Sequence, residues 1–139
     1  MHGLCFSPYE DGQNPGDQLS EAQIHRRMQI IKPYTNWIRS FSCTDGNELI
    51  PAIASEMGLK CLVGAWLDAD RDKNELELAG AIEVARQGHA GILGIGNEVL
   101  LREELTEDEL VDYVTRARDA VAGTGVEVGY VDAYYEFEL

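Results

Sequence analysis

Short apolar runs alternate along this chain with stretches whose apolar residues recur every three to four positions. "HGLCFS", His2 to Ser7, reads as a strand stopped by Pro8, and the turn-rich "PYEDGQNPGDQ" follows it. Ser20 with Gln23 forms a capping-box pattern, and Ile24, Met28 and Ile31 then share one helical face until Pro33. "NWIRSFSC", Asn36 to Cys43, predicts a second strand, broken by "TDGN". Ile50, Ile53, Ala54 and Met57 predict a helix over about Glu48 to Met57, with Gly58 as its cap. "LKCLVGAWL", Leu59 to Leu67, is nearly apolar throughout, as expected of a strand covered on both faces.

The alternation continues. After the loop "DADRDK", a third helix turns Leu78, Ile82 and Ala85 inward and closes at Gly88. "AGILGIG", Ala90 to Gly96, is a fourth strand. A fourth helix opens on the capping box "TEDE" at Thr106, with Leu110, Val114, Ala117 and Val121 as its stripe. "VEVGYVDAYY", Val126 to Tyr135, is a fifth strand. Strands alternating with helices in this way require a parallel sheet with right-handed crossovers. The pattern alone leaves two architectures open: a doubly wound open sheet, or a (β/α)8 barrel cut near its middle. A whole barrel takes about 250 residues, so 139 residues supply roughly half of one.

Composition narrows the function. A net charge of −14 argues against nucleic acid and anionic membrane surfaces as partners. No apolar run reaches the length of roughly 18 residues that a membrane span needs. Cys5, Cys43 and Cys61 fall at wide spacing in predicted strands, so they are expected as small apolar core residues rather than a redox pair or zinc site. His2, His25 and His89 have no ligand spacing; no metal and no cofactor is expected. "MHG" leads into the first strand without a basic, cleavable leader, which leaves the compartment undetermined.

In parallel α/β folds ligands bind at the carboxyl ends of the strands. Those ends carry Ser7, Tyr9 and Glu10, then Arg39, Ser42 and Asp45, then Trp66 and Asp68, then Asn97 and Glu98, then Asp132, Tyr134 and Tyr135. Rings that stack on apolar sugar faces, beside carboxylates, amides and an arginine that pair with hydroxyls, suit a carbohydrate. Polarity is also expected of any strand end, since a loop begins there. A phosphate loop is the wrong reading of "GILGIG": the turn after it carries Glu98 and bulky apolar residues instead of free backbone N–H groups.

"GNEV" at the end of the fourth strand resembles the acid/base motif of the large glycosidase clan built on (β/α)8 barrels. "GLCFSPYEDGQNP", "WIRSFSCTDG", "LVGAW" and "IGNEVLLR" together are similar, in order and spacing, to the first four strands of glycoside hydrolase family 17, the β-1,3-glucanases and related wall glucan enzymes. The resemblance implies the amino-terminal half of such a barrel, a (βα)4β unit over residues 1–135. It implies Glu98 as general acid/base, Asn97 as a hydrogen-bond partner of the sugar 2-hydroxyl, and Arg39 as support for the nucleophile's carboxylate. Tyr9 and Trp66 are then sugar platforms, Ser42 is a further substrate contact, and the substrate is a β-glucan or oligosaccharide. Phe6 stands where the family often has Tyr, which removes one hydroxyl.

The family's nucleophile is a glutamate ending the seventh strand, and only five strands are predicted here. Glu10 lies in a turn and Glu127 at a strand's start, so neither substitutes by motif. The expectation is therefore a truncated hydrolase, weak or inactive by itself, or a half-barrel scaffold that binds sugar without cleaving it. Unpaired sheet edges predict a homodimer that completes a barrel, with two copies of Glu98 on opposite walls. The last four residues, "EFEL" from Glu136 to Leu139, match the translation of two adjoining cloning sites and are expected to be vector-derived.

Overall fold

The computed structural model describes residues 1–137; Glu138 and Leu139 of the expected tail lie outside the described residues. The elements run β1 (Gly3–Cys5), α1 (Glu21–Ile31), β2 (Trp37–Arg39), α2 (Ile50–Glu56), β3 (Lys60–Ala65), α3 (Arg71–Arg86), β4 (Ile92–Asn97), α4 (Glu107–Ala120) and β5 (Glu127–Val131). Single turns of 3₁₀-helix occupy Lys32–Tyr34, Asn47–Leu49 and Tyr134–Phe137. Every expected element is present, but the strands are shorter. The second ends at Arg39 instead of Cys43, and the fifth ends at Val131, with Tyr134 and Tyr135 in a 3₁₀ turn. At these points the chain leaves the sheet to build the mouth, although its apolar residues continue.

Each strand pairs, in parallel, with the next in sequence, in the order β1-β2-β3-β4-β5. A doubly wound sheet reverses its order at a switch point; this one does not. The monotonic order, with a helix after each of the first four strands, is the arrangement of one half of a (β/α)8 barrel.

Burial along the strands is one-sided. Ile38, Cys61, Val63, Leu93 and Ile95 face the helices and are all 1% exposed or less. Trp37, Arg39, Leu62 and Ile92 alternate with them on the concave face and are only half-buried. The expectation that the third strand is covered on both faces is thus corrected. Leu62, on its concave side, lines an open depression of about 300 Å³ shared with β1, β2 and β4.

The helices cap as their sequences direct, with one difference. Thr106 and Glu109 form a reciprocal capping box at α4. At α1, Ser20 accepts from the Gln23 backbone N–H, but the Gln23 side chain does not return to Ser20. Its Nε2 donates instead to the Pro8 carbonyl at 2.9 Å, tying the long Pro8–Leu19 segment to the helix. Two of the three cysteines, Cys43 and Cys61, are core residues as expected, and Cys5 is not. Cys61 is core, and burial pushes its thiol up to about 11. Cys43 is buried in the loop after β2, where burial and the Glu77 carboxylate raise its thiol's pKa. Cys5 is exposed, because β1 is an edge strand and, among the described residues, none covers its concave side.

Candidate functional site

The carboxyl end of β4 does something that its strand pattern does not predict. Ile92 and Gly94 point to the concave side, so strict alternation would send Asn97 outward with Leu93 and Ile95. Between Gly94 and Asn97 the register against β5 shifts, and Gly96 takes a φ of +87°. An irregularity of this kind re-aims the side chains beyond it. A Cβ at Gly96 would also stand 3.2 Å from the Tyr130 ring, so both the backbone and the space require glycine. The result is that Asn97 turns to the concave side and meets β2: its Oδ1 accepts from Arg39 Nη2 at 2.5 Å.

Glu98 then sits at φ +52°, a left-handed conformation uncommon for a residue other than glycine, asparagine or aspartate. Its N–H is held by the Val131 carbonyl at 2.8 Å, and its own carbonyl accepts from Arg102 N at 2.9 Å. The side chain is exposed at the mouth, with Asn97 Nδ2 3.4 Å from Oε2. Arg39, Asn97 and Glu98 therefore form a row across β2 and β4. Arg39 must cross β3 to complete it. It can because Gly64 and Gly94 are paired neighbours on the concave face, and together with Phe41 they border the space beside its guanidinium. A Cβ at Gly64 would lie 2.4 Å from the Ser40 carbonyl oxygen. The guanidinium also lies 4.8 Å from the Phe41 ring centroid. Its Nε is buried and, among the described residues, unpartnered.

Tyr9, Ser42 and Trp66 form a second group. They line a cavity of about 470 Å³ over the ends of β1, β2 and β3, together with Phe6 and Phe41. Phe41 borders both groups and joins them. The Tyr9 hydroxyl accepts from Asn47 Nδ2 at 3.2 Å. Trp66 is half-buried with one face against the Arg102 guanidinium, 4.5 Å from the ring centroid. At the rim, Lys73 Nζ donates to Asp45 Oδ2 at 2.8 Å. That hydrogen bond holds the Asp45 carboxyl below its ordinary range and raises the Lys73 ammonium.

Two residues that the strand-end survey did not single out organise these groups. Arg102 donates to the carbonyls of Asn97, at the end of β4, and of Leu67, just after β3, the latter at 2.8 Å, while it stacks on Trp66. Glu77, 1% exposed on α3, accepts from Ser42 Oγ at 2.6 Å and Thr44 Oγ1 at 2.6 Å. It also accepts from the backbone N–H groups of Cys43 at 2.7 Å and Trp66 at 3.1 Å. A signal for Glu77 existed. Asn74, Glu77, Ala81 and Val84 share one helical face, and a carboxylate on a stripe that continues through Ala81 and Val84 is buried only when it is paired.

Among the described residues, no group of three or more His, Cys, Asp and Glu is placed to hold a metal ion, and no helix is long and apolar enough to cross a membrane.

The fold has known counterparts. An active-site mutant of a Rhizomucor miehei β-1,3-glucanosyltransferase, solved with laminaritriose, superposes with a TM-score of 0.82 at 25% identity, covering 98% of this chain and 51% of that one. A glucan 1,3-β-glucosidase of Schizosaccharomyces pombe is 30% identical over 116 residues, 77% of this chain and 36% of that protein. One from Saccharomyces cerevisiae is 27% identical over 135 residues, 87% of this chain and 43% of that protein. The chain thus spans less than half the length of these two relatives. The profile of the BtgE/BtgC glycoside hydrolase domain matches residues 3–138. The chain therefore belongs to the BtgE/BtgC glycoside hydrolase domain family and is related to the family 17-like β-1,3-glucanases.

Proposed function

We propose that this chain is the acid/base-bearing part of a β-1,3-glucan-active glycosidase, with Glu98 as the proton donor and acceptor. The observation that carries this reading is the Arg39–Asn97–Glu98 row beside an aromatic-lined cavity. A glucan lying over Tyr9 and Trp66 brings a glycosidic oxygen to Glu98. The carboxylic acid protonates the leaving oxygen, and the carboxylate then takes a proton from the incoming water or sugar hydroxyl. Asn97 is held by Arg39, so its amide N–H groups are directed toward Glu98 and a neighbouring sugar hydroxyl. Arg39 supplies positive charge where a nucleophile's carboxylate would stand, and Ser42 contributes a further contact.

Glycoside hydrolysis needs a second carboxyl group, about 5–5.5 Å away for retention or about 6.5–9.5 Å for inversion. Glu10 is engaged with Arg26 at 3.2 Å in an exposed loop. Glu127 pairs in register with Ile92, at the opposite end of the sheet from Glu98. We assign the partner carboxylate to a segment beyond these five strands. In the isolated chain, the open concave face and the free edges of β1 and β5 favour a second copy as the closing half, giving a homodimer.

A second reading follows from the same count of carboxylates: the chain by itself binds glucan without cleaving it. Wild type and Glu98→Gln, compared for laminaritriose binding and for reducing-end release from laminarin, distinguish the two. Cleavage by wild type alone supports hydrolysis through Glu98. Binding by both without cleavage supports the second reading. Equal cleavage by both proteins refutes the role of Glu98, and absence of binding refutes the glucan assignment. Mass in solution tests the dimer, and a stable monomer overturns it.

A further inference from the structure

The cavity beside Glu98 contains a buried carboxylate that the proposed chemistry leaves unused. Glu77 reaches its floor from α3, and four donors converge on its two oxygens. Oε1 takes the Ser42 and Thr44 hydroxyls, both at 2.6 Å. Oε2 takes the backbone N–H groups of Cys43 at 2.7 Å and Trp66 at 3.1 Å. An ionised carboxylate accepts only, and this donor set is its complement.

The consequence concerns hydroxyl direction. A serine or threonine hydroxyl has one proton and two lone pairs. Ser42 Oγ and Thr44 Oγ1 lie 3.2 Å apart, and Thr44 Oγ1 is also 3.2 Å from Asp45 Oδ2. Either contact could take the Thr44 proton, but Glu77, at 2.6 Å, is nearer and charged, so it takes both hydroxyl protons. The two oxygens are then acceptors only, Ser42 Oγ with one lone pair already taken by the Thr44 backbone N–H at 3.2 Å and the other left for the cavity. Asp45 and Asp68, also on the lining, are acceptors as well.

We propose that Glu77 is a positioning residue that sets the hydrogen-bond polarity of this cavity, turning Ser42 and Thr44 into acceptors that select ligands rich in hydroxyl donors. The proposal rests on the glucan reading and deepens it by naming what Ser42 and Thr44 recognise: the O–H protons of the sugar. The same carboxylate holds the Trp66 N–H, so ring and acceptors are fixed by one group.

The test exchanges donor for acceptor on both partners. In Glu77→Gln, Oε1 can keep the two backbone N–H groups while Nε2 donates to both hydroxyls. Ser42 and Thr44 then become acceptors toward the introduced amide and turn their protons into the cavity. The probes are laminaritriose and its monodeoxyfluoro analogues, in which fluorine replaces a donor hydroxyl at each position in turn. Affinity is measured by titration of the isotope-labelled chain.

Wild type is expected to lose about ten-fold in affinity on the analogue fluorinated at the contacted position, the effect of one lost hydrogen bond. Glu77→Gln is expected to lose less than about three-fold on that analogue, because its hydroxyls no longer depend on a sugar proton. Equal discrimination by the two proteins overturns the proposal and leaves the glucan reading standing. Failure of wild type to bind laminaritriose removes the glucan reading, and this proposal with it. If Glu77→Gln does not fold, Ser42→Ala and Thr44→Val decide: each removes one acceptor, so loss of discrimination in at least one supports the assignment, and full discrimination in both overturns it.

Discussion

Arg102 offers the strongest single perturbation. Its guanidinium bonds the carbonyls of Asn97 and Leu67, pairs with Glu104 Oε2 at 2.6 Å and covers one face of Trp66, while its side chain stays 25% exposed. Arg102→Ala removes all four contacts. The ring contact is worth about 0.5–1 kcal/mol at such exposure. Two charged hydrogen bonds have a nominal worth of about 1.5–3 kcal/mol each, but water can reach these carbonyls, so about 1 kcal/mol each is the appropriate count. The Glu104 pair, screened by solvent, adds between zero and about 1 kcal/mol. The expected loss is about 2.5–4 kcal/mol, or roughly 8–12 °C in melting temperature at about 3 °C per kcal/mol for a chain of this size. Arg102→Lys keeps the charge but has no planar fork to serve two carbonyls and a ring at once, so it should recover less than half of the loss. Thermal unfolding followed by circular dichroism measures both variants. A loss under about 0.5 kcal/mol for alanine, below the low end of the ring contact alone, or full recovery with lysine, would show that Arg102 does not hold the β3 and β4 ends together.

Two further outcomes follow from backbone and protonation state. Glu98→Asn should raise stability by about 0.5–1 kcal/mol, because asparagine tolerates the left-handed backbone that glutamate holds at φ +52°; a lower melting temperature than wild type would refute strain at this position. Tyr130 has its phenol pushed up to about 12, first by burial and then by its hydrogen bond to Asp132. A raised folded-state pKa contributes stability that is complete below the ordinary tyrosine value of about 10 and is lost as pH rises through the folded value. Wild type should therefore lose stability between about pH 10 and about 12 relative to Tyr130→Phe. In ultraviolet titration one tyrosine should ionise late, and parallel pH–stability curves for the two proteins would count against this account.

The alternation of short apolar runs with helical stripes was enough to order all nine main elements, because each strand is paired by its sequence neighbour and each helix covers the strands beside it. Strand ends were harder to read. "NWIRSFSC" continues in apolar and small residues after Arg39, and nothing in that run indicates that Phe41 and Ser42 leave the ladder to line a cavity. Sidedness was also hidden. Leu59 to Leu67 has the composition of a strand buried on both faces, whereas Leu62 looks onto an open depression. Asn97 and Glu98 were legible as a motif, but their delivery to the concave side depends on a register shift that only backbone pairing reveals. Arg102 and Glu77 escaped notice for a different reason. Neither lies on a strand, and each acts by holding residues that do, or that follow directly from one.

The long reach of Arg39 also matters for how the chain folds. Sheet pairing here joins neighbouring units, so most of the structure can form progressively, each strand docking on the one before it. The bond from Arg39 to Asn97 spans 58 residues and crosses an intervening strand. It can close only after three consecutive strands are seated and the β4 bend has formed. A partly assembled chain could have a good core and much of its secondary structure while Asn97 still lacked its guanidinium. Chemical competence and compactness are thus separate milestones, and a spectroscopic probe at Asn97 would register the later one.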